Sequence, residues 1–253
     1  MDALNGKRLV ILGMARQGTA LARFAVDAGA FVTLSDMRSA ERLGAQMELL
    51  ADLPADRLRY VLGGHPMSLL DECDVLAISG GVSIDMPLVI EATRRNIPLT
   101  NDSLEFMRRV PALVIGITGS AGKTTTTALT GQMGQKSNRR TWIGGNIGRP
   151  LITDLPQISA DDLVVQELSS FQLEIWDHCS PPVAAILNVT PNHLDRHKTM
   201  ASYAAAKSHI LRSQRPDGIA VLSADDPGSL EMREFVRGRL RTFSAHQPVT
   251  DGA

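Results

Sequence analysis

The sequence predicts an α/β protein whose parallel sheets lie in two successive domains. Two observations carry that prediction. Short apolar runs alternate with helix-length amphipathic stretches along the chain, the pattern of βαβ units. The pattern also starts twice, each time with a strand, a glycine turn and a helix. The first start is Arg8-Leu9-Val10-Ile11-Leu12, followed by Gly13 and a helical pattern over residues 18–28. Phe31 to Asp36 reads as the second strand, and Arg59 to Leu62, Val75 to Ser79 and Ile97 to Thr100 supply three more. The second start follows Val110-Pro111, where Leu113-Val114-Ile115-Gly116-Ile117-Thr118 runs into a glycine-rich turn. Leu163 to Val165, Val183 to Leu187 and Ile219 to Leu222 continue the alternation. The domains are therefore placed at 1–110 and 111–253.

Composition narrows the function. The chain is 43% hydrophobic and 21% charged, ordinary values for a globular protein. Its 26 basic residues face 27 acidic ones, which argues against a nucleic-acid binder and against a polybasic membrane-surface protein. No apolar run approaches the roughly 18 residues of a spanning helix, and Met1 to Lys7 lacks the pattern of a signal peptide. Cys73 and Cys179 stand far apart, outside any metal-like spacing, which suits a reducing compartment. A cytoplasmic monomer is expected, with neither nucleic acid nor membrane as partner.

The strongest chemical signal is Thr118-Gly119-Ser120-Ala121-Gly122-Lys123-Thr124-Thr125, directly after a strand and opening a helix. Phosphate oxygens need convergent backbone N–H donors. Glycines let the main chain approach closely, and a helix N-terminus adds a favourable dipole. Lys123 is expected to reach the terminal phosphates of ATP, and the Thr124 hydroxyl to bind Mg²⁺. The spacing departs from the common P-loop, because Ile117 stands five residues before Gly122 where a glycine is usual. The domain is read as a P-loop ATPase-type α/β unit.

The first turn, Gly13-Met14-Ala15-Arg16-Gln17-Gly18, resembles the Rossmann dinucleotide fingerprint, with Ala15 in place of the middle glycine. Asp36 ends the next strand, where a ribose-binding acid sits in nicotinamide enzymes. Ala15 argues against a dehydrogenase and leaves another diphosphate ligand open. Ser79-Gly80-Gly81-Val82-Ser83 offers a second turn of the same kind.

Three further groups fall in the second domain. Glu167 ends a buried strand beside the glycine-rich loop, well placed to hold Mg²⁺. His193 and His197 lie four apart in Asn188-Val189-Thr190-Pro191-Asn192-His193-Leu194-Asp195-Arg196-His197, a spacing that allows a zinc pair. Pro191 makes the segment a loop, however, and one imidazole assisting Mg²⁺ is the better reading. Lys207, on a helix after that loop, reads from its residues alone as a surface lysine.

Together these segments resemble the Mur ligases, ATP-dependent amide-forming enzymes of peptidoglycan synthesis. The likeness rests on Thr118 to Thr124, on Gly144-Gly145-Asn146-Ile147-Gly148, on Glu167-Leu168-Ser169-Ser170-Phe171-Gln172-Leu173-Glu174, and on Asn188 to His197. The Glu-Leu-Ser-Ser-Phe-Gln-Leu-Glu segment points to the D-glutamate-adding branch. The resemblance implies that ATP phosphorylates the carboxylate of UDP-N-acetylmuramoyl-L-alanine and that the amine of D-glutamate attacks the acyl phosphate. It implies Lys123, Glu167, His193 and Lys207 as catalytic groups. Two Mg²⁺ ions would be held by Thr124, Glu167, His193 and a carbamylated Lys207. Asn146, Ser169 and Gln172 match substrate-contacting positions. The uridine diphosphate would lie against Gly13, Met14, Ala15, Arg16 and Gln17, against Asp36, Met37 and Arg38, and against Ser79 and Gly81. Ala15 and Gly80 depart from the family pattern. The family also has a third domain that binds D-glutamate. This chain is read as a fragment that stops at Ala253, before that domain and before the central one is complete. Alone it is expected to bind the UDP-sugar without forming amide. Competing readings are another Mur ligase, a folylpolyglutamate synthase-like ligase, or a non-catalytic nucleotide-binding module.

Overall fold

Buried runs of Val, Ile and Leu become the central strands of two parallel sheets, as residues covered on both faces should. The computed structural model describes residues Met1–Ala253. They divide into two compact units, Met1–Glu105 and Phe106–Ala253. The division lies after Glu105, within a few residues of 110.

The first unit contains β1 (Arg8–Leu12), α1 (Arg16–Asp27), β2 (Phe31–Asp36), α2 (Ala40–Glu48), β3 (Leu58–Leu62), β4 (Val75–Ile78), α3 (Pro87–Arg94) and β5 (Leu99–Thr100). Helix α4 (Asp102–Met107) spans the division. The strand order is β3-β2-β1-β4-β5, with every pair parallel. The chain therefore reverses its direction of travel between β1 and β4. Loops at the carboxyl ends of those two strands meet at this switch point, where open α/β sheets bind ligands.

The second unit runs β6 (Leu113–Thr118), α5 (Lys123–Lys136), β7 (Thr141–Gly145), β8 (Leu163–Glu167), α6 (Ser170–Leu173), β9 (Val183–Ile186), α7 (Leu194–His197), α8 (Met200–Arg212), β10 (Ile219–Ser223), α9 (Pro227–Glu231) and β11 (Arg239–Phe243). Its sheet has the order β11-β10-β9-β6-β8-β7, again parallel. Ile117, Leu163, Val165 and Ala185 form a buried cluster on this sheet. Register does the positioning. Ile117 pairs with both Glu167 and Ala185, and Glu167 pairs with Gly145, so the ends of four strands align. No helix is long and apolar enough to cross a membrane.

Two strands escape the sequence pattern. β7 is Thr-Trp-Ile-Gly-Gly, whose two glycines blur its apolar signal, and β11 is Arg-Leu-Arg-Thr-Phe at a sheet edge. An edge strand needs fewer apolar side chains, so charge alternation hides it.

Candidate active site

The glycine-rich loop leaves β6 and enters α5 through Gly122, whose φ of +80° is left-handed and suits glycine. Residues of the segment after β9 hold the loop in shape. Asn188 accepts the Ala121 N–H at its side-chain oxygen (2.8 Å) and donates back to the Ala121 carbonyl (3.2 Å). The Ser120 N–H donates to the Asn188 carbonyl, and the Ser120 hydroxyl bridges the Thr190 carbonyl and N–H, each at 2.9 Å. The Tyr203 hydroxyl from α8 donates to Ser120 Oγ at 3.1 Å. Lys123 folds over this loop, donating to the carbonyls of Gly119 (2.9 Å) and Ser120 (3.3 Å). Thr125 is exposed one residue further along α5.

Beside the loop, Thr124 donates to Glu167 Oε2 at 2.9 Å, and Asn146 donates to Glu167 Oε1 at 2.8 Å. Glu167 is 1% exposed. Gly145 permits the approach of Asn146: its φ is +105°, and a Cβ there would lie 2.5 Å from the Glu167 carbonyl oxygen. A hydroxyl and a carboxylate at the mouth of a phosphate loop are hard oxygen donors, which fit Mg²⁺. Ser169 and Gln172 cap α6 reciprocally, Gln172 N–H to Ser169 Oγ (3.2 Å) and Ser169 N–H to Gln172 Oε1 (3.0 Å). Both residues predicted to touch substrate therefore also start the helix that follows Glu167.

The two histidines part company. His197 is buried, its Nε2 2.9 Å from Ser170 Oγ and its Nδ1 3.8 Å from Glu174, with its ring stacked on Phe171. Burial, reinforced by Arg196, Lys207 and His193, lowers its pKa and keeps the ring neutral. Burial and the Ser170 contact at Nε2 commit this ring to the packing of α6, which disfavours the zinc-pair reading. His193 is exposed at the start of α7, with a left-handed φ of +52° and its ring 5.0 Å from that of Phe171.

Lys207 corrects the surface reading outright. It is 1% exposed on α8 beneath the loop, with Nζ 3.0 Å from the Gly119 carbonyl, 3.4 Å from Thr118 Oγ1 and 4.6 Å from the Tyr203 ring centre. Burial, with Lys123 as the second cause, pushes its ammonium down to about 7 from 10.5. The unfolded chain therefore holds this proton more tightly than the folded one. The penalty is complete below about pH 7 and disappears as the pH climbs towards the ordinary lysine range, so stability rises across that window. Urea midpoints at about pH 7 and about pH 9 should show this rise in the parent chain and a flatter one in Lys207→Met. Equal slopes would assign the rise to another group.

In the first unit, Gly13 donates its N–H to the Ser35 carbonyl (2.8 Å), and the Ser79 hydroxyl donates to the Gly13 carbonyl (3.0 Å), joining the two predicted turns. Gln17 adds a link by accepting the Gly80 N–H at 3.3 Å. Asp36 is already engaged: it accepts Met14 N–H (2.7 Å), Arg38 N–H (2.9 Å) and the Arg38 guanidinium at both oxygens (2.9 and 2.8 Å). Arg38 foremost holds its carboxyl well below the usual carboxylate range. Met14 is fully buried, so only its main chain can meet a ligand, whereas Ala15, Arg16, Met37 and Gly81 are exposed.

Family comparison agrees with both units. The Mur ligase middle domain matches residues 117–251, more than half the chain, and the Mur ligase MurD-like N-terminal domain matches residues 7–101. The chain belongs to the Mur ligase family. Among relatives of this Mur ligase, a UDP-N-acetylmuramoylalanine--D-glutamate ligase of Anaeromyxobacter dehalogenans is 41% identical over 99% of this chain and 53% of its own length. The ligase of the same name from Pelotomaculum thermopropionicum is 38% identical over 97% of this chain and 53% of its own. The chain spans about half the length of the curated relatives it matches. Among solved structures, the Neisseria UDP-N-acetylmuramate:L-alanyl-gamma-D-glutamyl-meso-diaminopimelate ligase superposes with a TM-score of 0.61 at 19% identity, covering 98% of this chain and 82% of that one, a likeness of fold. In this Mur ligase, sequence reasoning missed the clamp of Asn188 and Tyr203 on the loop. Asn188 stood at the end of a buried strand, a usable signal. Tyr203 gave none, because only folding brings α8 under Ser120.

Proposed function

We propose that this chain acts in ATP-dependent ligation of D-glutamate to UDP-N-acetylmuramoyl-L-alanine. The observation that carries the reading is the Thr124–Glu167 pair at the mouth of the loop that bears Lys123. In this reading Lys123 leaves the Gly119 and Ser120 carbonyls to meet the terminal phosphates of ATP, while the loop N–H groups and the start of α5 face the remaining phosphate charge. Thr124 and Glu167 hold Mg²⁺, and Asn146 orients the second oxygen of Glu167. Mg²⁺ supplies charge neutralisation on the transferring phosphoryl oxygens. His193 and Lys207 are assigned to a second ion. Burial leaves the Lys207 amine able to lose its proton near neutrality, as carbamylation requires: the nitrogen lone pair attacks the carbon of CO₂ and one N–H proton leaves to water. Gly13 to Gln17, Asp36 to Arg38, Ser79 and Gly81 hold the uridine diphosphate, with Asp36 shaping the turn through Met14 and Arg38. A cytoplasmic monomer suits this role.

The D-glutamate-adding branch takes a sugar that already carries L-alanine. Calorimetry should therefore show UDP-N-acetylmuramoyl-L-alanine binding more tightly than UDP-N-acetylmuramate. The reverse preference would move the chain to another branch of the family.

A further inference from the structure

The first sheet has a bare patch of a kind that parallel sheets seldom leave. The connection from β3 to β4 carries a single four-residue helical turn, Met67–Leu70, where a crossover usually carries a full helix. Register and alternation put Arg8 of β1, Phe31 and Thr33 of β2, and Arg59 of β3 on one side of the sheet. With Arg57 these residues line a cavity of about 470 Å³, the size of a small-ligand site.

The lining is chemically biased. Phe31 is 42% exposed, and the Arg57 guanidinium lies 4.1 Å from its ring centre. Arg57 is steadied by the Gly29 carbonyl at 3.1 Å, and Arg59 by Thr33 Oγ1 at 2.7 Å. Acids stand nearby but pair loosely with the guanidinium groups. Glu72 and Asp74 are each 3.6 Å from the Arg8 guanidinium, and Asp56 is 3.9 Å from that of Arg57, beyond hydrogen-bond range, while Asp74 accepts the Arg8 main-chain N–H at 2.8 Å. Such exposed pairs neutralise little. Three guanidinium groups thus converge on a recess that already contains one stacked arginine–aromatic pair.

We propose that this cavity is a second ligand site, separate from the loops at the opposite ends of the strands, and that it takes a small aromatic anion. The ligand's ring extends the Phe31–Arg57 stack, and its phosphate or carboxylate is held by Arg8 and Arg59. Arginine serves both tasks, since its planar fork stacks on rings and binds oxyanions through paired donors.

Phenyl phosphate is a suitable probe, with inorganic phosphate and phenol as its two halves. The titration is run by NMR on the Lys123→Ala chain, so that the phosphate loop does not compete. Phenyl phosphate should bind with a Kd on the order of 1 mM or tighter, at least about tenfold better than either half. Phe31→Ser should weaken it about tenfold, and so should Arg57→Lys, which keeps the charge and loses the planar stack. Unaltered melting temperatures would show both variants folded. Absent binding, equal affinity for inorganic phosphate, or indifference to both substitutions would overturn the proposal.

Discussion

Lys123→Ala is expected to weaken ATP binding roughly 10- to 100-fold, the loss of a charge-assisted contact of about 1.5–3 kcal/mol. The reason lies in how the loop is built. Its shape depends on Asn188, Thr190 and Tyr203, which grip Ser120 and Ala121. Lys123 adds only two bonds to carbonyls of the same loop. Removing it therefore takes away a cation and leaves the cradle standing, so stability should change by less than about 1 kcal/mol. Calorimetric titration with ATP checks the first figure and denaturant unfolding the second. Unchanged affinity would remove ATP from this loop.

The second large effect concerns Glu167. Glu167→Gln keeps the shape of a side chain that is 1% exposed and bonded to both Thr124 and Asn146. The amide has one acceptor oxygen instead of two, and the Thr124 hydroxyl can rotate to accept from its nitrogen. What disappears is the negative charge. The gain in ATP affinity on adding Mg²⁺ should then vanish, with the ratio of Kd values in EDTA and in Mg²⁺ falling to near one. Carried into one of the full-length relatives, the same substitution should lower product formation in the D-glutamate ligation assay at least about 100-fold, the scale of losing one preorganised electrostatic group. A variant that still responds fully to Mg²⁺ would place the ion elsewhere.

Much of this arrangement was legible in the residues because it is local. Apolar runs of three to six residues mark buried parallel strands, and all nine of the strand ranges read in this way recur in the structure within two residues. Thr118 to Thr125 announces a phosphate loop because strand, turn and helix start are contiguous, and Glu167 follows from its place at the end of an apolar strand. Gly145 shows the limit. Its two neighbours are informative only once β7 pairs with β8, which sets Asn146 against the Glu167 carboxylate.

The sequence by itself determined the two α/β units, the glycine-rich loops at the ends of their first strands, and the family to which those loops belong. The units depend on contacts within a few tens of residues, which a period of two or of 3.6 records in the chain, while the loops and the family resemblance rest on short contiguous motifs. Only the tertiary structure decided the state of Lys207, the commitment of His197 to Ser170, and the saturation of Asp36 by Met14 and Arg38. Lys207 looks like any helix lysine until α8 slides beneath a loop 88 positions away and excludes water from its ammonium. Burial and charge depend on what surrounds a group in space, and a linear pattern carries no record of that distance.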